Sequence, residues 1–181
     1  MAVVNTTSLL ILDNNVDLYK FASVNAAVVY NARHFSAARF FSDDPKYCAL
    51  IFANGRVVIT GPRSQNLAEA ACKHLLTILE WYLEKSFSVR TFSLRNMVLS
   101  YDVGRTIDLV EFYNNNKLYC SYEVELFPGL IYRSQVPSVT FTLFASGKVN
   151  VTGIKDFADK EKVIAMLEGW FSSAPKLRAS V

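Results

Sequence analysis

The sequence predicts an α+β protein built from two copies of one unit, and three observations carry that expectation. An internal repeat runs at an offset of 91–92 residues. Each copy holds a glycine-centred hairpin between strands of alternating pattern, and each closes on an amphipathic helix. Two five-strand sheets that can join, with the long helices on one face, satisfy all three.

The repeat is explicit. Asn5 to Phe21 lies over Asn96 to Phe112 at an offset of 91, with Asp17-Leu18 over Asp108-Leu109. Leu50-Ile-Phe52-Ala-Asn-Gly55-Arg56 and Thr60-Gly61 lie over Thr142-Leu-Phe144-Ala-Ser-Gly147-Lys148 and Thr152-Gly153 at an offset of 92, which Phe35/Phe127 and Pro45/Pro137 keep. A period this long is no solenoid, so residues 1–90 and 91–181 are expected to be two halves of one pseudo-symmetric body.

Each copy opens with an apolar strand, Val3–Ile11 or Val89–Leu99. A short helix follows around Val16–Ser23 or Ile107–Tyr113, with Asp17 and Asp108 suited to its first turn. Strands are expected at Ala26–Tyr30 and Lys117–Tyr122, then at Ala37–Phe41 and Leu130–Arg133. The hairpins pair Ala49–Ala53 with Val57–Thr60 and Thr140–Ala145 with Lys148–Thr152, and Gly55 and Gly147 supply the positive φ of their turns. The closing helices carry Leu67, Ala71, Leu75, Ile78, Leu79 and Tyr82 in one copy and Val163, Met166, Leu167 and Trp170 in the other, with Asp156 as an N-cap.

Composition bounds the rest. The 181 residues are 51% hydrophobic and 19% charged, which supports a core and excludes disorder as a description of the whole chain. No apolar run nears the roughly 20 residues that cross a bilayer, and the opening Met-Ala-Val-Val-Asn lacks a signal pattern, so a chain that neither spans a membrane nor is secreted is expected. Cys48, Cys72 and Cys120 match no metal spacing and read as reduced thiols, and neither a metal nor a cofactor is expected. No phosphate loop, nucleophile elbow or His-carboxylate cluster is present, so an enzyme is not expected. His34 and His74 read as a loop residue and a helix-surface residue. The net charge of +3 permits a polyanionic partner without demanding one.

The hairpin strands are apolar on both faces, with Leu50, Phe52, Val58 and Thr60 to one side and Ala49, Ile51, Val57 and Ile59 to the other. One strong helix per copy is too little to cover two faces, which implies an exposed apolar sheet face. Arg33, Lys46, Arg56, Arg63, Arg133, Lys148 and Lys155 fall near its turns and strand ends. An apolar platform rimmed by cations suits a widened DNA minor groove, and it would also serve a protein partner.

Ser121-Tyr-Glu123-Val-Glu125-Leu126-Phe127-Pro128-Gly-Leu-Ile-Tyr-Arg133, with Phe144-Ala-Ser-Gly-Lys148 and Val151-Thr152-Gly153, resembles the TATA-box-binding protein core. Asn31-Ala-Arg33, Ala49-Leu-Ile-Phe52, Thr60-Gly61 and Arg95-Asn96-Met97-Val98 extend the resemblance over Asn5 to about Trp170. It implies a saddle: a curved ten-strand antiparallel sheet whose concave face sits on the minor groove, with helices on the convex face. It also implies a nuclear, non-enzymatic general transcription initiation factor that binds and bends A/T-rich promoter DNA and nucleates preinitiation complex assembly. The alternative is a related protein-interaction subunit of a specialised transcription complex with weak or altered DNA binding.

By the same resemblance Phe35 with Phe52, and Phe127 with Phe144, are two pairs of wedges. Asn5 and Asn96 take the central positions that meet adenine N3 and thymine O2, with Thr60 and Thr152 beside them. Leu50, Val58 and Val98 fall on the apolar floor, Arg56 and Lys148 at its rim, and Asn150 at a further DNA-contact position. Thr7, Thr142 and Asn150 stand where the family is usually aliphatic, and Phe41, Val136 and Ser138 where it is often basic, so altered preference and weaker salt dependence are expected. Glu123, Glu125 and Leu126 match the stirrup that receives transcription factor IIB. The helix stretch that would meet transcription factor IIA carries Glu69, Lys73, His74, Thr77 and Trp81, which puts that partnership in question. TATA-binding-protein-associated factors are further implied partners, and self-association of the DNA-free chain is left open.

Overall fold

The structure, a computed structural model, describes residues 1–171. The chain divides into two compact units, Val3–Val98 and Leu99 onward, the latter together with Met1–Ala2. In the first lie β1 (Ala2–Leu12), α1 (Leu18–Val24), β2 (Val28–Val29), β3 (Ala37–Asp43), β4 (Lys46–Phe52), β5 (Arg56–Thr60), α2 (Gln65–Leu83) and most of β6 (Val89–Asp102). The second repeats the order with α3 (Leu109–Asn115), β7 (Cys120–Ser121), β8 (Leu130–Gln135), β9 (Ser138–Leu143), β10 (Lys148–Ile154) and α4 (Phe157–Phe171). Strand order is β2-β3-β4-β5-β1-β6 in the first unit and β6-β10-β9-β8-β7 in the second. The expected α+β class is borne out, with antiparallel ladders linking β1 to β5, β2 through β5, and β7 through β10.

Period-2 alternation decides which strand face is covered. Tyr47, Ala49, Ile51, Val57 and Ile59 are buried with Phe21 of α1 and with Ala71, Cys72, Leu75 and Leu79 of α2. In the second unit Val139, Phe141, Leu143, Val149 and Val151 are buried, as are Val163 and Leu167 of α4. Trp170 stands edge-on to Phe141 at 4.8 Å, to Tyr132 at 4.9 Å and to Phe112 at 5.4 Å, an aromatic cluster that joins α3 and α4 to the strands. Each fully buried side chain of this size contributes about 1.5–3 kcal/mol.

Local differences from the sequence reading have local causes. Asp17 and Asp108 precede their helices as N-caps, the first accepting from Lys20 N–H and the second from Val110 and Glu111 N–H. β2 and β7 are shorter than expected because Asn25 and Asn116 turn the chain first, taking hydrogen bonds from Val28 and Tyr119 N–H. Leu67 is exposed in the first turn of α2, and Ala68 takes the inward position. His74 is half-buried, and its Nδ1 meets the Tyr47 hydroxyl at 2.9 Å, so it ties α2 to β4. The β3–β4 and β8–β9 turns carry cis peptides at Asp44-Pro45 and Val136-Pro137.

Gly147, at φ +92°, leaves no room for a Cβ, which would collide with the Arg105 carbonyl oxygen, whereas a Cβ at Gly104, φ +75°, meets open space. Gly147→Ala should therefore cost more than about 2 kcal/mol, and Gly104→Ala only about 1–2 kcal/mol of backbone strain. Urea unfolding midpoints measure the difference, and equal losses would show that the carbonyl contact at Gly147 is relieved by a small shift.

Candidate nucleic-acid interface

In the first unit, the strand face turned away from the helices is half-open. Leu50 faces Val58 and Val58 faces Leu9, forming one apolar row; Cys48 faces Thr60 and Thr60 faces Thr7, forming the next. Arg39 and Phe41 continue these rows on β3, opposite Leu50 and Cys48, and both are exposed. Arg56 is exposed at the start of β5, opposite Ile11.

Asn5 is held at the end of these rows. Its Oδ1 accepts from Gly61 N–H at 2.9 Å and from the Thr60 hydroxyl at 3.3 Å, and its Nδ2 lies 3.2 Å from Thr60 Oγ1. A backbone N–H only donates, so the atom facing it must be the amide oxygen, and this fixes the orientation of the side chain. Nearby, Thr6 donates its hydroxyl to Pro62 O at 2.9 Å, which fixes the end of β1 against the residues after β5. Asn96 and Val98 are half-buried on β6, on either side of buried Met97.

The aromatic pairs have matching geometry in the two units. Phe35 and Phe52 have ring centroids 6.4 Å apart at 62°, and Phe127 and Phe144 are 6.0 Å apart at 68°. The same turn delivers Phe35 and Phe127: His34 and Phe35 N–H donate to Asn31 O, and Leu126 and Phe127 N–H donate to Glu123 O, all at 3.0 Å. Phe35 is 43% and Phe127 41% exposed, too open for core residues. Glu123, Glu125 and Leu126 are exposed on the second turn.

In the second unit Ile131 faces Thr142, which faces Asn150, and Arg133 faces Thr140, which faces Thr152. Lys148 is exposed at the start of β10. At the positions of the Leu50–Val58 pair, this unit therefore presents Thr142 and Asn150. The three cysteines are free, and burial pushes the thiols of Cys48, Cys72 and Cys120 up, with the Arg39 guanidinium opposing the effect at Cys48. Protonated thiols are poor nucleophiles and poor metal ligands. Among the described residues no group of three or more His, Cys, Asp or Glu side chains is placed to hold a metal, and no helix is long and apolar enough to cross a membrane.

Two units that each combine a helix-backed antiparallel sheet, a half-open face and an exposed phenylalanine pair define a duplicated strand-face binding protein. The chain belongs to the family described as Transcription factor TFIID (or TATA-binding protein, TBP), whose model matches residues 1–82 and 91–168. It is 36% identical to TATA-box-binding protein 2 of Arabidopsis thaliana over 83% of this chain and 75% of that one. It is 34% identical to TATA-box-binding protein 1 of Triticum aestivum over 97% of this chain and 74% of that one. Among solved structures it matches Methanococcus jannaschii TBP with a TM-score of 0.82 and 28% identity, over 96% of this chain and 98% of that one.

Sequence reasoning missed Gly129. A Cβ there would lie 2.6 Å from Phe127 Cε1 and 3.1 Å from both Phe144 Cε1 and Thr142 Cγ2, so the aromatic pair rests where glycine leaves space. Its partner at the 92-residue offset is Ala37, so only the Phe-Pro-Gly order of the second copy offered a signal. Gly129→Ala should displace the Phe127 ring and move the aromatic proton shifts of Phe127 and Phe144, with a stability loss of about 1 kcal/mol because a ring can swing aside. Unchanged ring shifts in an NMR spectrum would contradict this role.

Proposed function

We propose that this chain is a DNA-binding general transcription initiation factor that engages A·T-rich promoter DNA in the minor groove with its open strand faces and bends it. The observation that carries the reading is the pair of exposed phenylalanine couples, which share one ring geometry and one supporting turn in the two units. Apolar side chains inserted at base steps exchange unstacking cost for protein contact. Asn5, with its oxygen held by Gly61, presents amide donors, which suit the adenine N3 and thymine O2 acceptors. Thr60, Asn96 and Val98 add to the face of the first unit and Thr152 to that of the second, while Leu50 and Val58 exclude a guanine amino group that they cannot pair. Arg39 and Arg56 in one unit, and Arg133 and Lys148 in the other, supply phosphate contacts. Retention of both phenylalanine couples speaks against a purely protein-binding role.

The partner reading rests on the exposed turn before Phe127, where Glu123 and Glu125 present carboxylates and Leu126, 82% exposed, presents an apolar side chain. A transcription factor IIB-like protein with a basic, apolar surface is the occupant we assign to it. With the plant relatives as guide, the place of action is the nucleus.

Three measurements test these statements. In a fluorescence assay at two salt concentrations, a TATA-like duplex should bind and bend while a G·C-rich control does neither; no selective binding would overturn the reading. The double change Phe127→Ala with Phe144→Ala should abolish bending and weaken binding about tenfold or more with a nearly unchanged thermal midpoint. A large stability loss would instead make these rings core residues. Glu123→Arg with Glu125→Arg should prevent the ternary complex with transcription factor IIB and leave the binary complex intact, whereas loss of both complexes contradicts the assignment.

A further inference from the structure

Asn5 and Asn150 carry the same amide with different commitments. Asn5 Oδ1 is engaged by Gly61 N–H and the Thr60 hydroxyl and its Nδ2 lies 3.2 Å from Thr60 Oγ1, so what it offers outward is its remaining amide N–H. Asn150 is exposed on β10 opposite Thr142, and neither side chain forms a hydrogen bond among the described residues. Its donor and its acceptor are both available.

The minor-groove code gives that difference a meaning. An A·T pair shows only acceptors there, whereas guanine adds the N2 amino donor beside its N3 acceptor. A carboxamide with both groups available matches that adjacent donor and acceptor, and on an A·T pair its carbonyl would be desolvated without a partner. In the first unit the equivalent facing pair is Leu50 and Val58, which offers nothing to an amino group.

We infer that Asn150, with Thr142 beside it, is a specificity position that accepts the minor-groove edge of guanine, so that the second unit takes a G·C pair where the first requires A·T. The inference rests on the minor-groove reading above. It also gives the near-repeat a direction, because a guanine at one end of the site fixes which unit lies over it. Thr142 keeps its methyl carbon near Gly129 and the phenylalanine pair, so its contribution is a second acceptor at the edge of a packed contact.

The test is fluorescence anisotropy with an all-A·T duplex and with duplexes in which one G·C pair is scanned through the site. Further duplexes carry inosine in place of that guanine, or G·C at both mirror-related positions. For the unmodified chain, one scanned G·C position and its mirror should each cost less than about threefold in affinity, while guanine at both should cost about tenfold or more, since only one can meet Asn150. Inosine lacks the amino group, so at both positions it should relieve that loss.

The double variant Asn150→Val with Thr142→Leu, which copies the first unit's pair, should raise the single-guanine cost, taken relative to its own all-A·T binding, to about tenfold. Thermal unfolding checks that the variants are folded, and Asn150→Val alone, at an exposed position, serves if the double variant is not. The inference is overturned if every G·C position costs the unmodified chain tenfold or more, or if the variants leave the cost unchanged. Binding to the all-A·T duplex with equal penalties throughout overturns this inference alone. Failure to bind even that duplex overturns the minor-groove reading together with it.

Discussion

Everything in this protein depends on strands whose two faces have different obligations. The inward set, such as Ala49, Ile51, Val57 and Ile59, is fully buried, and it fixes the register because a one-residue slip would place Leu50, Phe52, Val58 and Thr60 against α2. The outward set is thereby released from holding the fold together. Its apolar side chains remain half-open because the helices are already spent on the other face, and this is the condition under which a sheet can offer a binding surface.

Duplication followed by divergence is visible in where the copies agree. The hairpin glycines, the phenylalanine couples and the N-capping aspartates are shared, and each serves backbone geometry or ring placement. The copies differ on the outward rows: Leu50 and Val58 become Thr142 and Asn150, and Phe41 becomes Arg133. The inward rows stay apolar in both. Packing therefore constrains one face twice over, and the outward face is free to answer to a partner.

Much of this was legible in the sequence, because period-2 alternation and a glycine at a hairpin turn are local signals with direct physical causes. The repeat made each element visible twice, and the phenylalanines and Asn5 were singled out by the family resemblance, with which their recurrence in register agrees. Other features depend on atoms distant in sequence. The Tyr47–His74 hydrogen bond joins residues whose proximity only the packing of α2 on β4 creates, and burial pushes that tyrosine hydroxyl up. Gly129 carries no such local signal, because its significance comes from the Phe127 and Phe144 rings and the Thr142 methyl that occupy the space beside it. Leu67 followed the helical period yet lies outward, while Ala68 beside it in the first turn of α2 is buried.

The electrostatics point the same way as the packing. A net charge of +3 on 181 residues is small for a protein whose partner is a polyanion, and the outward rows carry few cations. On the proposed interface, binding strength would then come mainly from apolar contact and from the bending assigned above to the phenylalanine couples. An interface of that kind discriminates by exclusion: a base pair is rejected when it buries a polar group that finds no partner. Polar groups on an otherwise apolar floor therefore alter selectivity more than they alter strength. On the proposed interface, Asn5 and Asn150 would illustrate two ways in which the same side chain enters such a surface, one with its oxygen committed to Gly61 and Thr60 and the other with both of its groups left to pair.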